Sequence, residues 1–406
     1  MKIKINANNL FVVALVISTF AGSNGTEYFS AIPSLVLMCF ALFRIINPNY
    51  INDRFVPKDH MGRNLGIFLS LCGLISAYFN LDVYSFLFAI NFFLTWISIY
   101  YIRDFYSAQK AIRAGAQAGI ICSIIFVLFT YQEIFSAIRM DITLSNSYYR
   151  YSPWGIHPNL IGHIFGLYLI VMFWHVLIEH GLILRFIYFC GSIIALVLII
   201  ASSSRGGLFA AIFGIVVALI PYIYKLNKNK RFIFLFLILF LFMNIFGYYF
   251  TSSILYLQDL LQFDSDYRGL DTGFTGRVEG WLYILNNSLE DTYAFLFGRG
   301  FRNKWIDGLP FSIDNGFLVV FAELGILALI LVLHRILKLY SIYGVLFRRV
   351  INAEIYLAFS IVLFFIAESV VARYFLSVGN PASIIFLFLL MDPRFIRYGN
   401  NISKLE

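Results

Sequence analysis

Apolar segments about as long as a membrane helix recur along the chain, separated mostly by short polar stretches. A helix that crosses a bilayer needs about 20 mostly apolar residues. The candidates lie near residues 10–22, 28–46, 64–80, 83–102, 114–134, 157–178, 182–201, 205–224, 232–250, 314–333, 353–373 and 378–392. The run at 232–242 is apolar on every face, whereas strands of a membrane β-barrel alternate apolar and polar residues. The pattern therefore predicts an all-α polytopic membrane protein with about twelve transmembrane helices.

We expect these helices to form a single integral membrane domain over residues 1–406. The first segment follows Lys2 and Lys4, as in a signal peptide, but without a convincing cleavage site, so we interpret it as a retained helix. One large loop, residues 251–313, separates predicted helices nine and ten. Residues 281–289 within it are amphipathic, which predicts short helices lying on the membrane surface. A loop of this length in a compact protein is usually functional.

The composition excludes a soluble fold. Hydrophobic residues make up 60% of the chain and charged residues 13%, against roughly 25% charged residues in ordinary soluble domains. A soluble fold of this size could not hide so much apolar surface. The four cysteines lie inside apolar segments without a CxxC or a metal-ligand spacing, so we expect buried small hydrophobic residues. We predict neither a metal nor another cofactor.

The net charge of +8 is distributed in a way that predicts an orientation. Cytoplasmic loops of bacterial membrane proteins carry surplus Lys and Arg. With a cytoplasmic N-terminus, 21 of the 30 basic residues lie inside, four lie in short outer segments, and five lie in the long loop, to which the rule does not apply. The charge therefore indicates a bilayer partner and not a nucleic acid. It predicts a multi-pass protein of the bacterial inner membrane with both termini in the cytoplasm.

Polar side chains gather at the predicted outer surface, where they are costly and commonly mark a site. The candidates are His157, Asn159, His163, Arg205, Asp314, Asn315, Glu323, Glu368 and Arg373, with Arg277 and Arg299 in the long loop. Several arginines beside an acid or imidazole suit a lipid-linked phosphate or pyrophosphate, because guanidinium groups bind phosphate bidentately. Such cations would stabilise a pyrophosphate leaving group, and a carboxylate or neutral imidazole would serve as a base.

Each candidate also has a purely structural interpretation. Asn159 and Asp314 are each suited to cap the start of a helix. Arg205 could lie in a hairpin turn and extend its side chain to the headgroups. Glu323 could form a structural pair with Arg373 or Arg205.

Four sequence motifs around the long loop carry a resemblance to a known family. HPNLIG at 157–162 resembles the start of a helix in bacterial O-antigen ligases and polysaccharide polymerases, and SRGGL at 204–208 resembles their Ser-Arg-Gly element. TGR at 275–277, followed by Trp281 and by FGRGF at 297–301, is similar to the sequence motif in the large outer loop of these proteins. DNGFL followed by ELG, over 314–325, is similar to the element that closes the loop.

This resemblance implies a metal-independent glycosyltransferase of the O-antigen ligase and polymerase type. Our first interpretation is a repeat-unit polymerase for O-antigen or capsule, with undecaprenyl-pyrophosphate-linked oligosaccharide as donor and acceptor and a chain-length regulator as a further candidate partner. The alternatives are an O-antigen ligase that uses the lipid A core, and a transporter of a lipid-linked sugar. Ligases of the family have His where this chain has Asp314, which favours the polymerase.

The resemblance also implies roles for the candidate residues. Arg205 and Arg277 would hold the donor pyrophosphate. Asp314 would activate the acceptor hydroxyl, with His157 supporting the pocket or acting as the base itself. The predicted substrate-binding set is Arg205, Arg277, Arg299, Arg373, Asn159, Asn315, Glu323 and Trp281.

Overall fold

The structure is a computed structural model, and it describes most of the chain in separate stretches. They are residues 7–21, 31–46, 60–103, 106–139, 149–225, 277–303, 313–349, 353–377 and 379–390. Within these stretches the regular secondary structure is helical and contains no strand. The predicted all-α class is therefore confirmed for the described residues.

The described residues form thirteen α-helices and one short 3₁₀ helix, Pro153–Gly155. The α-helices are α1 (Ala7–Phe20), α2 (Ala31–Ile46), α3 (His60–Phe79), α4 (Val83–Ile102), α5 (Ala108–Ile138), α6 (Pro158–Ile178), α7 (Leu182–Ala201), α8 (Arg205–Lys225), α9 (Arg277–Glu290), α10 (Thr292–Phe297), α11 (Gly316–Arg349), α12 (Ala353–Ser369) and α13 (Pro381–Leu390).

Six of these helices are long and apolar enough to cross a membrane, namely α3, α4, α5, α6, α7 and α11. Shorter apolar helices occur in α1, α2, α8 and α13. The architecture is that of a polytopic membrane protein. The predicted helix at 232–250 and residues 251–276 and 304–312 of the long loop lie outside the described residues, so the twelve spans and the full loop stay predictions.

The core of the bundle is built around α6, which packs against α5, α7 and α8. A helix that is apolar all round must be covered on all sides, and nearly every residue of α6 from Asn159 to His175 is buried. Gly162 on α6 faces Gly207 on α8. A Cβ on Gly207 would lie 2.7 Å from the backbone carbonyl of Gly162, so glycine is required for this approach. The contact holds the start of α8 beside the start of α6.

The predicted helix 314–333 is too short, because α11 continues beyond a kink at Gly325 as far as Arg349. Buried apolar side chains recur at helical spacing beyond residue 333. They are Ile336, Leu339, Tyr343 and Leu346. The basic residues of this stretch suggested a loop, but Arg335 is buried and its Nε donates to the carbonyl oxygen of Leu390 at the end of α13, at 3.0 Å. Pairing with a helix C-terminus stabilises the charge of the guanidinium inside the fold.

Two further predictions need correction. The helix predicted at 353–373 ends at Ser369, so Arg373 lies in the turn that leads to α13. The cysteines are not all buried: Cys72 and Cys122 are buried, whereas Cys190 is half-buried and Cys39 is exposed. In a membrane protein an apolar segment can face lipid, so apolar surroundings in sequence do not imply burial in the bundle.

Candidate functional site

Four parts of the chain meet at one end of the bundle: the starts of α6, α8 and α11, and the turn 370–377 between α12 and α13. A Cβ on Gly162 would touch Ser204, just before α8, and a Cβ on Gly316 would touch Phe375 in the turn. Helix starts present unpaired backbone N–H groups and the positive end of the helix dipole. This end of the bundle therefore favours anionic groups.

Asp314 lies at the centre of this end and does not cap α11. The cap is Asn315, whose Oδ1 accepts hydrogen bonds from the backbone N–H groups of Phe317 and Leu318, each at 3.0 Å. The Asp314 carboxylate is buried and faces two other elements. Its Oδ2 lies 3.0 Å from a terminal nitrogen of Arg277 and accepts from Asn159 Nδ2 at 3.5 Å. The capping interpretation of Asp314 is therefore wrong.

Arg277 and Arg205 form the cationic part of the site. The other terminal nitrogen of Arg277 donates to the carbonyl oxygen of Val371 at 3.2 Å, so both ends of its guanidinium are held. Arg205 is half-buried at the first position of α8, close enough for the two positive charges to repel each other. Two like charges held together favour an anion between them.

His157 caps α6, and Asn159 does not. His157 Nδ1 accepts from the backbone N–H of Asn159 at 3.2 Å, which leaves the buried Asn159 side chain available for other partners. Asn159 Oδ1 accepts from a terminal nitrogen of Arg150 at 3.2 Å, while its Nδ2 donates to Asp314. The structure thus brings the predicted residues His157, Asn159 and Asp314 together and adds Arg150.

Arg150 is a further residue of the site, beyond those predicted from the sequence. Its Nε and one terminal nitrogen donate to the carbonyl oxygen of Ser202, at 3.2 and 3.0 Å. It therefore fixes the turn before Arg205 and the amide of Asn159 at the same time. Its sequence signal is weak, since it is one of four arginines in the short outer segments, together with Arg139, Arg205 and Arg373.

Tyr374 is the second residue that was missed. It is buried in the turn after α12, and its hydroxyl lies 3.3 Å from His157 Nδ1. Burial raises the pKa of the Tyr374 phenol, and the negative charges of Asp314 and Glu368 raise it further. The Tyr374 hydroxyl thus shares His157 Nδ1 with the backbone N–H of Asn159.

A buried acid–imidazole pair lies behind Tyr374. His163 Nδ1 and Glu368 Oε2 are in direct contact, and both side chains are 2% exposed. The His163 ring packs against the Tyr374 ring, with 5.5 Å between the ring centroids. This pair links α6 to α12 and supports the position of Tyr374.

Glu323 and Arg373, predicted as substrate-binding residues, line a common cavity beside Tyr374. Glu323 Oε1 accepts from the backbone N–H of Arg302 at 3.0 Å, which ties the segment after α10 to α11. The backbone N–H of Gly300 donates to the carbonyl oxygen of Glu323 at 2.9 Å. Glu323 therefore has a structural contact and a position on the cavity wall.

Three predicted substrate-binding residues have surroundings other than the group around Asp314, namely Arg299, Trp281 and Asn315. A terminal nitrogen of Arg299 lies 3.8 Å from the carboxylate of Asp291, which caps α10, so this ion pair lies within the segment around α10. Trp281 is half-buried on α9, one turn after Arg277. Asn315 caps α11 and also donates to the carbonyl oxygen of Val370 at 3.2 Å. These contacts give Arg299 and Asn315 defined structural partners.

The fold and the site define a class: a polytopic membrane protein with paired arginines, a carboxylate and an imidazole at one end of its helices. Residues 190–333 match the family model described as O-antigen ligase. The predicted resemblance to the O-antigen ligase and polymerase family is confirmed over that region. Members of this family are glycosyltransferase-type enzymes. No curated protein matches the chain.

The matched region runs from the middle of α7 through α8, α9 and α10 to the first part of α11, and it contains part of the site. Arg205, Arg277 and Asp314 lie within it, whereas His157 and Arg373 lie outside it. The structure thus joins the matched region to residues that precede and follow it in the chain.

Proposed function

We propose that this protein is a repeat-unit polymerase for O-antigen or capsule at the outer face of the bacterial inner membrane. It transfers an oligosaccharide from an undecaprenyl-pyrophosphate donor to a lipid-linked acceptor. The observation that carries the proposal is the group at one end of the bundle, in which Asp314 lies 3.0 Å from Arg277, and Arg277 interacts electrostatically with Arg205 at the start of α8. The group joins an anion-binding part to a carboxylate that can accept a proton.

The donor pyrophosphate binds between Arg205 and Arg277. An anion placed there relieves the repulsion between the two guanidinium groups. Cations aimed at the leaving group stabilise the charge that develops in the transition state. The hydrogen bond from Arg277 to Val371 restrains the direction of its guanidinium before the donor arrives.

Asp314 acts on the acceptor. The oxygen of the acceptor hydroxyl attacks the anomeric carbon of the donor, and the bond from that carbon to the pyrophosphate oxygen breaks. The hydroxyl proton passes to the Asp314 carboxylate and then to solvent, and undecaprenyl pyrophosphate leaves with the bonding electrons. Asn159, held by Arg150, orients the carboxylate through its 3.5 Å contact. No ATP is needed, because the donor is already activated.

The residue at position 314 favours the polymerase over the ligase. Ligases of the family resemble one another in having His there, and this chain has Asp. The group in contact with Arg277 that would accept the proton is therefore a carboxylate and not an imidazole. A transporter is the weakest alternative, since transporters commonly place their polar sites near the bilayer midplane, whereas these residues lie at helix starts.

The surface polysaccharide of a deletion strain tests the proposal. A polymerase deletion leaves single repeat units on the lipid core, which gives one short band on a gel. A ligase deletion leaves no repeat unit on the core. A strain with unchanged polysaccharide would contradict both activities, and co-purification with a chain-length regulator would identify the expected partner.

A further inference from the structure

An open cavity lies beside Tyr374, at the end of the bundle that carries Asp314. Phe88 of α4, Arg302, Val320 and Glu323 of α11, and Arg373 and Tyr374 of the turn lie in its wall. Val320 and Glu323 follow Asp314 by six and nine positions on the chain, which is roughly 9–14 Å at helical rise. The cavity therefore lies one to three turns from the carboxylate, at the same end of the bundle.

The chemistry of the wall suits a sugar with an anionic substituent. The guanidinium of Arg302 lies over the ring of Phe88, 5.0 Å from its centroid, and is presented toward the cavity from an exposed position. The described lining residues carry two guanidinium groups, Arg302 and Arg373, and one carboxylate, Glu323. The excess charge is positive, and arginine binds carboxylate in a defined, bidentate geometry. The aromatic and aliphatic side chains provide an apolar surface for a sugar ring.

Tyr374 connects this cavity to the reacting group. Its side chain lines the cavity, its hydroxyl lies 3.3 Å from His157 Nδ1, and it interacts electrostatically with Asp314. The Asp314 carboxylate is also in direct contact with Arg277. Asp314 thus interacts with Arg277 and with Tyr374 of the cavity wall.

We infer that the cavity beside Tyr374 is the acceptor subsite and that it takes a sugar bearing an anionic group, such as a uronic acid. The inference rests on the proposed function, because it assigns the second substrate of the same reaction. It divides the site: the donor pyrophosphate lies on Arg205 and Arg277, and the acceptor sugar lies against Arg302 and Phe88.

Binding to the purified full-length protein tests this assignment. The probes are the free repeat-unit oligosaccharide, released by mild acid from the lipid carrier of the host cell, and undecaprenyl pyrophosphate. Arg302→Gln should weaken oligosaccharide binding about tenfold, the usual effect of losing a charge-assisted hydrogen bond. It should change undecaprenyl pyrophosphate binding less than about twofold on the same basis. Arg302→Lys keeps the positive charge but lacks the bidentate guanidinium. Its affinity for the oligosaccharide should lie between those of the unaltered protein and Arg302→Gln.

Arg139→Gln is the matched control, since the Arg139 guanidinium also lies over an aromatic ring, that of Phe135, at 6.0 Å. It should change neither binding constant. Chemical reduction of the carboxylates on the oligosaccharide should weaken binding to the unaltered protein but not to Arg302→Gln.

Several results would overturn the inference alone. They are a repeat unit without an anionic group, unchanged oligosaccharide binding in Arg302→Gln, or weakened binding of undecaprenyl pyrophosphate in that variant. The proposed function fails in a different way: the unaltered protein would bind neither probe and would not extend chains from purified lipid-linked repeat units.

Discussion

Asp314 precedes the cap of α11 and pairs with Arg277, so its side chain is not needed to start the helix. Replacing it with Asn keeps the shape of the side chain but removes the charge and the capacity to accept a proton. General-base catalysis typically contributes about 10²–10⁴-fold. Asp314→Asn should therefore lower the rate of chain extension at least about a hundredfold, measured with purified lipid-linked substrate.

Asp82→Asn is the matched control for Asp314→Asn. Asp82 caps α4 by accepting from the backbone N–H groups of Tyr84 and Ser85, and Asn caps about as well as Asp. Asp82→Asn should extend chains at the rate of the unaltered protein. If Asp314→Asn also extends chains at the rate of the unaltered protein, the base lies elsewhere, with His157 the next residue to test.

A second prediction about single residues concerns Arg205 and Arg277. Lysine keeps the positive charge of Arg277 but cannot contact Asp314 and Val371 together, because its ammonium is a single point. Arg277→Lys and Arg205→Lys should each lose most of the chain extension while the protein still inserts in the membrane. Arg113→Lys is the control, since Arg113 is exposed and lies 3.7 Å from Glu179 at the far end of α6. Full activity in both site variants would contradict the phosphate-binding role.

Arg150 is expected to act through Asn159 and the turn at Ser202, without touching substrate. Arg150→Gln removes the two hydrogen bonds to the Ser202 carbonyl and the contact with Asn159. The rate should fall about tenfold, as for the loss of charge-assisted hydrogen bonds, while the KM for the donor stays within about twofold by the same reasoning. Arg150→Lys should restore part of the rate. A change in donor KM with an unchanged rate would show that Arg150 binds substrate instead.

At the scale of helices, the site depends on how closely α6 and α8 approach. Gly207→Ala places a methyl group 2.7 Å from the backbone of Gly162, which cannot move without shifting α6. Overpacking of this kind costs about 1–3 kcal/mol, so thermal unfolding in detergent should occur at lower temperature and activity should fall because Arg205 moves. Gly214→Ala is the control on the same helix. Its methyl group would first meet the terminal Cδ1 of Ile170, which can rotate away. Equal unfolding temperatures for the two variants would contradict this account.

The whole molecule has one end that carries the site, and the charge distribution predicts that this end is extracytoplasmic. A phosphatase reporter fused near Asp271 should be active, because that loop is predicted to lie outside, and one fused near Lys228 should be inactive. The measurement is reporter activity in intact cells, normalised to the amount of fusion protein. The reverse pattern would place Arg277 and Asp314 in the cytoplasm and would contradict the use of a lipid-linked donor at the outer face.

Much of this protein follows from local sequence. A bilayer requires about 20 apolar residues for each crossing helix, and that requirement can be recognised from any single segment. The bounds of α4, α6 and α7 were therefore predicted to within a residue or so. The motifs around residues 204–208 and 314–325 likewise indicated the family before any contact was known.

Only the tertiary structure decided which side chain does what. The sequence offered Asp314 and Asn159 as helix caps, yet Asn315 and His157 are the caps, and the freed side chains meet across 155 positions of the chain. Arg150 and Tyr374 gain their importance from contacts 52 and 217 positions away, with Ser202 and His157. Helix formation depends on neighbouring residues, whereas the partner of a polar side chain depends on which distant helices pack beside it. Helix formation can therefore be predicted from each segment by itself, whereas the polar contacts form only once the bundle has assembled.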